Sequence, residues 1–152
     1  MAELPNHFFL KHQSLCPVCR RPFVAWAVNP RLYGVDTRED DRHVLSYVWS
    51  QGIQTEIRPD HHELWHCPHC AYTALFQDFQ SGSQTAFQRH RWAAWRQLPP
   101  GLLLGIRPWL GHLRGEPPWD DGQVLLLLAL ARMALLQVPE ENRDGMELGR
   151  VH

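Results

Sequence analysis

The sequence predicts an α+β fold in which a small β-rich domain with an insertion, residues 1–80, precedes an α-helical region, residues 81–152. All four cysteines lie in the first half, beside short runs of aromatic and β-branched residues that are typical of strands. The second half contains apolar and helix-forming runs that are separated by prolines. Because 44% of the 152 residues are hydrophobic, the chain is apolar enough to fold around a core.

The β-rich half begins with a lead-in over residues 1–15. We expect its apolar run at positions 8–10 to anchor it on the domain; the alternative is a docking peptide. Residues 23–28, FVAWAV, lie between two prolines and predict a short strand.

The following polar residues predict the insertion, over 31–50. Residues 31–42 predict a loop, which could continue into a short helix over 43–50, and a Gln-Gly pair then indicates a turn. Alternation of apolar and polar residues over 53–57 predicts a strand, and residues 63–66 predict another.

The second half predicts three helical segments. The first covers 84–98, with Ser83 as its N-cap candidate, and the second is a shorter piece over 102–113 that Pro108 interrupts. The strongest covers 120–138, with an aspartate as cap and a proline as stop. It is apolar on nearly every side, which implies that it is covered by the domain or by a partner. On the first helix one apolar face is expected to leave the arginines outside it, the face being Phe87, Ala94, Trp95 and Leu98 and the arginines Arg89, Arg91 and Arg96.

The cysteines form two copies of one tetrapeptide pattern, Cys16-Pro17-Val18-Cys19 and Cys67-Pro68-His69-Cys70. Two such turns can supply four thiolates at the corners of a tetrahedron, which is the arrangement that structural Zn²⁺ prefers. The 47 residues between the pairs, 20–66, exceed the usual zinc-finger spacing of about 15 to 20, so a zinc-ribbon-like domain here must carry an insertion.

Other chemistries for these cysteines are redox dithiols, an iron–sulfur cluster, or disulfides and unpaired thiols. A thioredoxin-like Cys-x-x-Cys should begin a helix in a βαβ unit, whereas both pairs here have strand-like neighbours. A Cys₄ zinc has no open coordination position, so we expect a structural role and no enzyme.

Further histidines and carboxylates lie near these motifs. His66 and His69 could compete as ligands, but four thiolates already complete the shell, so they are expected beside it. A second metal site could combine the acidic run with the histidine pair, although such a run is usually a solvated face; its members would be Asp36, Asp40, Asp41, His61 and His62.

The motifs resemble a bacterial zinc-ribbon-like family of unknown function, over roughly residues 14–80 and more faintly into the helical region. The resemblance rests on C-P-V-C with Phe23 after it, on Arg31, Asp36 and Asp41, and on C-P-H-C-A-Y preceded by an aromatic residue. The family usually has Gly where this chain has Ala71. It implies a cytoplasmic metal-binding protein whose C-terminal helices are similar to tetratricopeptide repeats, and it brings no established activity.

Two functions follow as expectations. The first is a protein-interaction or assembly module, binding a protein partner or a second copy through the C-terminal helices and the tryptophan candidates Trp92, Trp109 and Trp119. The alternative is nucleic-acid binding through Arg20, Arg21, Arg89, Arg91 and Arg96 with Trp92, which the net charge of −1 disfavours. The N-terminus has no secretory pattern, and the apolar stretch over 124–138 is shorter than a membrane span, so a cytoplasmic location is expected.

Overall fold

The computed structural model describes residues 4–40, 44–50, 52–80, 84–113 and 116–140. In this part of the chain three antiparallel strand pairs precede three α-helices, which confirms the α+β class. The strands are β1 Phe9–Leu15, β2 Pro22–Val28, β3 Tyr33–Arg38, β4 Val44–Trp49, β5 Leu64–His66 and β6 Thr73–Leu75. Two 3-10 helices lie at Pro59–His62 and Phe76–Phe79. The α-helices are α1 Ala86–Arg96, α2 Pro100–Leu110 and α3 Asp121–Leu136.

Each strand pairs with its neighbour in the sequence, so the β region consists of three two-stranded hairpins. β1 pairs with β2 from Phe9 opposite Val28 to Leu15 opposite Pro22. β3 pairs with β4, and β5 with β6. The β3–β4 hairpin is the insertion, and it lies between the two hairpins that carry the cysteines.

Several sequence predictions for this half were wrong. The lead-in contains β1, the expected loop over 31–42 contains β3, and the expected helix over 43–50 is β4. β4 has the sequence VLSYVW, whose β-branched and aromatic residues favour a strand once a partner strand is available. Residues 53–57 form no strand, because no segment in the described chain pairs with them. The anchoring role of the lead-in is confirmed by Phe8, which is buried and stacks on Trp49 with ring centroids 5.1 Å apart.

The helices begin at well-defined caps. The Thr85 hydroxyl accepts a hydrogen bond from the Gln88 N–H in a capping box, and Asp120 and Gln123 form the same motif at α3. The Ser83 that the sequence suggested as N-cap lies outside the described residues. Pro108 lies within α2, near its end.

One buried cluster joins the cysteine turns to the helices. It contains Cys16, Cys67 and Tyr72 from the hairpins together with Trp92 and Trp95 of α1. A second cluster packs α3 on the β5–β6 hairpin through Leu64, Leu75, Leu127, Ala131 and Leu135. The helical region therefore packs directly on the β region; the division at residue 80 stays a prediction.

α3 is covered on one side only in the described chain. Its buried side chains recur along one face, at Val124, Leu127, Leu130, Ala131, Ala134 and Leu135. On another face Leu125 is 66% exposed and Leu136 is 44% exposed. The chain's own helices thus leave an apolar face of α3 in contact with solvent.

His62 gives the fold a pH dependence. It is buried between Phe9 and Trp119, with ring centroids 5.0 and 6.2 Å away, and burial lowers its pKa to about 4. The pKa of an unfolded histidine is about 6.5, so below that pH the unfolded chain binds the proton more readily and stability falls. At pH 5 the loss relative to neutral pH should be about 2 kcal/mol.

Chemical unfolding of the wild type and of His62→Phe at several pH values measures this contribution. The difference between their pH profiles should disappear above pH ~7 and grow towards pH ~5. His61→Phe, which changes a half-exposed neighbour, is the matched control and should follow the wild type. Parallel profiles for all three proteins would contradict the assignment.

Candidate metal centre

The two cysteine pairs occupy the turns of two hairpins, one between β1 and β2 and the other between β5 and β6. In the first turn the Cys16 N–H donates to the Arg21 carbonyl and the Arg20 N–H donates to the Cys16 carbonyl, at 3.1 and 2.9 Å. In the second, the Cys67 N–H donates to the Tyr72 carbonyl and the Ala71 N–H to the Cys67 carbonyl, both at 2.9 Å. The two turns therefore have the same backbone hydrogen bonding.

The residue after each second cysteine adopts left-handed backbone, with φ of 62° at Arg20 and 61° at Ala71. This conformation tightens the turn so that both cysteines of a pair point to the same side. Gly adopts it without steric cost, which gives a physical reason for the Gly that similar sequences have where this chain has Ala71.

The four sulfur atoms converge on one point between the hairpins. Cys16 Sγ lies 3.6 Å from Cys70 Sγ, and Cys19 Sγ lies 3.7 Å from Cys67 Sγ. All four lie within 4.8 Å of one another. Four thiolates at a Zn–S distance of about 2.3 Å would be roughly 3.8 Å apart at the corners of a tetrahedron. The cluster thus has the size and the donor atoms of a Cys₄ metal site.

Backbone N–H groups in the turns stabilise negative charge on the sulfurs. Hydrogen bonds from Cys67 and Cys70, with backbone donors in its own turn, lower the pKa of Cys16 to about 2. The thiolate that Cys16 forms in turn raises the pKa of Cys67 to about 12, and it also raises the pKa of Cys70. Four crowded thiols cannot all ionise by themselves, and a divalent cation is the partner that would let them do so.

Helix α1 braces both turns. The Trp95 indole N–H donates to the Cys70 carbonyl at 3.0 Å. The Arg96 guanidinium donates to the carbonyls of Pro17 and Val18, at 2.8 and 3.1 Å. Consecutive residues of one helix therefore fix the two cysteine turns relative to each other.

Arg96→Gln should weaken this brace without destroying the site. Its two bonds lie near the surface, so their loss should lower the free energy of unfolding by about 1 kcal/mol. Chemical unfolding of the metal-loaded protein measures the change. Arg89→Gln, an exposed arginine on the same helix whose guanidinium bonds the Gln84 carbonyl, is the matched control and should have a smaller effect. Equal effects of the two variants would contradict the bracing role.

A buried ion pair supports the second turn from below. Asp78 accepts hydrogen bonds from the Tyr72 hydroxyl at 2.7 Å and from the Gln88 amide at 3.3 Å, and it forms an ion pair with Arg91. The Arg91 guanidinium also lies over the Phe87 ring, 4.9 Å from its centroid. The sequence placed Arg91 outside the apolar face, and this prediction was wrong. The signal that could have found the pair was the single carboxylate in the otherwise apolar segment before α1.

The two histidines beside the second cysteine pair bond to other groups. His66 Nδ1 lies 2.8 Å from the Thr73 hydroxyl, and His69 Nε2 lies 3.0 Å from the Pro22 carbonyl. Within the described residues, only the four cysteines form a cluster that could hold a metal ion. Asp36 instead accepts hydrogen bonds from the Thr37 and Ser46 hydroxyls within the β3–β4 hairpin. Asp41 of the suggested second site lies outside the described residues.

The basic and aromatic residues suggested for nucleic-acid binding do not share one surface. Arg91 and Trp92 are buried, and Arg96 bonds to the first cysteine turn. Arg20 and Arg21 are exposed beside that turn. Among the suggested tryptophans, Trp109 is 60% exposed, Trp119 is half-buried, and Trp92 belongs to the core.

These features define an α+β protein whose four cysteines form a cluster that could bind a metal. The chain belongs to the bacterial family described as "Uncharacterized protein conserved in bacteria (DUF2225)", whose model matches residues 9–90. The match covers all three hairpins and ends within α1, so it does not confirm the expected likeness to tetratricopeptide repeats. No curated protein and no solved structure matches the chain. None of the helices in the described ranges is long and apolar enough to cross a membrane.

Proposed function

We propose that this protein binds one structural zinc ion through Cys16, Cys19, Cys67 and Cys70, and that it acts as a cytoplasmic protein-interaction or assembly module. Zinc is favoured because four thiolates at tetrahedral spacing match its preferred ligands and geometry. A complete Cys₄ shell leaves no position for a substrate, so the proposed role of the ion is to hold the two hairpins together and no catalytic reaction is assigned.

The interaction role rests on the exposed apolar side chains of the C-terminal helices. No residue of α2 is fully buried, although most of its sequence is apolar. Leu104 on α2 is 63% exposed and Leu125 on α3 is 66% exposed. Exposed leucines and a tryptophan on adjacent helices are typical of a surface that a partner covers.

Capture of the tagged, zinc-loaded protein from its host tests the proposal. One specific protein should be recovered, or a second copy should associate, in a way that nuclease treatment does not change and that Leu125→Glu or Leu104→Glu removes. Recovery of nucleic acid with an affinity that falls steeply with salt would favour the alternative function. A protein that stays monomeric and captures nothing would contradict the proposal.

A further inference from the structure

An exposed stripe runs along the full length of α3. Its members are separated by alternating steps of three and four residues, and all are exposed: Gly122, Leu125, Ala129, Arg132 and Leu136. We call this set the outer stripe. It lies apart from the buried face that packs on the β5–β6 hairpin through Leu127, Ala131 and Leu135.

The spacing of the outer stripe is the spacing of a helix-pairing seam. Steps of three and four residues keep side chains on one line, at the period that two packed helices share. The apolar members Leu125, Ala129 and Leu136 present little to solvent that is polar. The occupant that fits such a stripe is another helix.

The stripe is also symmetric along its own length. Leu125 and Leu136 are equally far from the point midway between residues 130 and 131, and so are Ala129 and Arg132. An antiparallel copy of α3 would place Leu125 opposite Leu136 of the copy, and Ala129 opposite Arg132. Leucine then packs on leucine, and the long stem of the arginine lies over a small residue. A parallel copy would instead place the two Arg132 side chains directly opposite each other.

We infer that α3 pairs with the α3 of a second copy, antiparallel, through the outer stripe. This rests on the proposed interaction role and names its partner. The 16 residues of α3 span about 24 Å, so the helix pair alone is smaller than a standard protein interface. The association is therefore weak and depends on protein concentration.

Sedimentation equilibrium of the full-length, zinc-loaded chain tests the pairing over a wide concentration range. The wild type should associate, and Leu125→Glu should weaken association at least tenfold, because it places a charge in the seam. Leu104→Glu is the matched control, since it changes an equally exposed leucine on α2 and should leave association unchanged. All three proteins should melt at similar temperatures, since both substituted side chains are exposed.

Mixtures of variants test the antiparallel geometry. Leu125→Glu and Leu136→Lys should each associate poorly alone, but their mixture should recover association because positions 125 and 136 are opposite each other. The control mixture of Leu125→Glu with Leu125→Lys should not recover, since these positions are opposite only in a parallel pair. Recovery in the control mixture alone would overturn the antiparallel assignment.

A wild type that is monomeric at the highest concentration would overturn the self-pairing. The proposed interaction role would still stand if Leu125→Glu then removed a different captured protein. It would fail together with the self-pairing if nothing were captured.

Discussion

Cys67→Ser is expected to prevent the chain from folding. Cys67 is fully buried among the four sulfurs, and its turn carries β5, β6 and the Trp95 bond from α1. Structural zinc contributes roughly 10 to 16 kcal/mol to small sites, which is as large as the whole stability of a typical domain. The variant should be insoluble, or it should lose zinc and cooperative melting together. Thermal melting followed by circular dichroism, with metal analysis of the same sample, measures both.

His69→Ala is the matched control for this substitution. It changes the residue beside Cys70, but the His69 side chain is exposed and bonds to the Pro22 carbonyl. The control should retain zinc and melt cooperatively. If Cys67→Ser instead folded normally and lost only an activity, the metal would have to be reassigned from a structural to a catalytic role.

Arg91→Met is expected to lower the free energy of unfolding by about 3 to 5 kcal/mol. The substitution leaves the buried Asp78 carboxylate without its cation, and a buried charge that lacks its partner is strongly destabilising. The loss should also loosen α1 from the second cysteine turn, because Tyr72 donates to the same carboxylate. Denaturant unfolding of the zinc-loaded protein measures the change.

Two further variants separate the ion pair from a general effect of losing an arginine on α1. Arg89→Met changes an exposed arginine of the same helix and should cost less than about 1 kcal/mol. The double variant Asp78→Leu with Arg91→Met should be more stable than the sum of its single variants predicts, since it removes both buried charges. A cost below about 1 kcal/mol for Arg91→Met would show that the pair is not important for stability.

The parts of the fold that follow local rules could be predicted from the sequence. β2 was predicted from its β-branched and aromatic residues, and α3 from its helix formers and its Asp120 cap. The convergence of the four cysteines followed from two identical turn motifs, because each motif dictates its own backbone geometry. Local chemistry was sufficient in these cases.

The missed parts depend on contacts between residues far apart in the sequence. β1 is polar at alternate positions and becomes a strand through its pairing with β2. Charged residues led to a loop prediction for β3, which pairs with β4 across the hairpin. Arg91 is buried because Asp78, 13 residues earlier, lies beneath it, and no periodicity in α1 reveals that partner.

Metal analysis of freshly purified protein tests the central claim most directly. We predict about one equivalent of zinc per chain and no iron, bound by four thiolates that become reactive towards thiol reagents only after the metal is removed. Folded protein that contains no zinc and has its cysteines in two disulfides would contradict the claim.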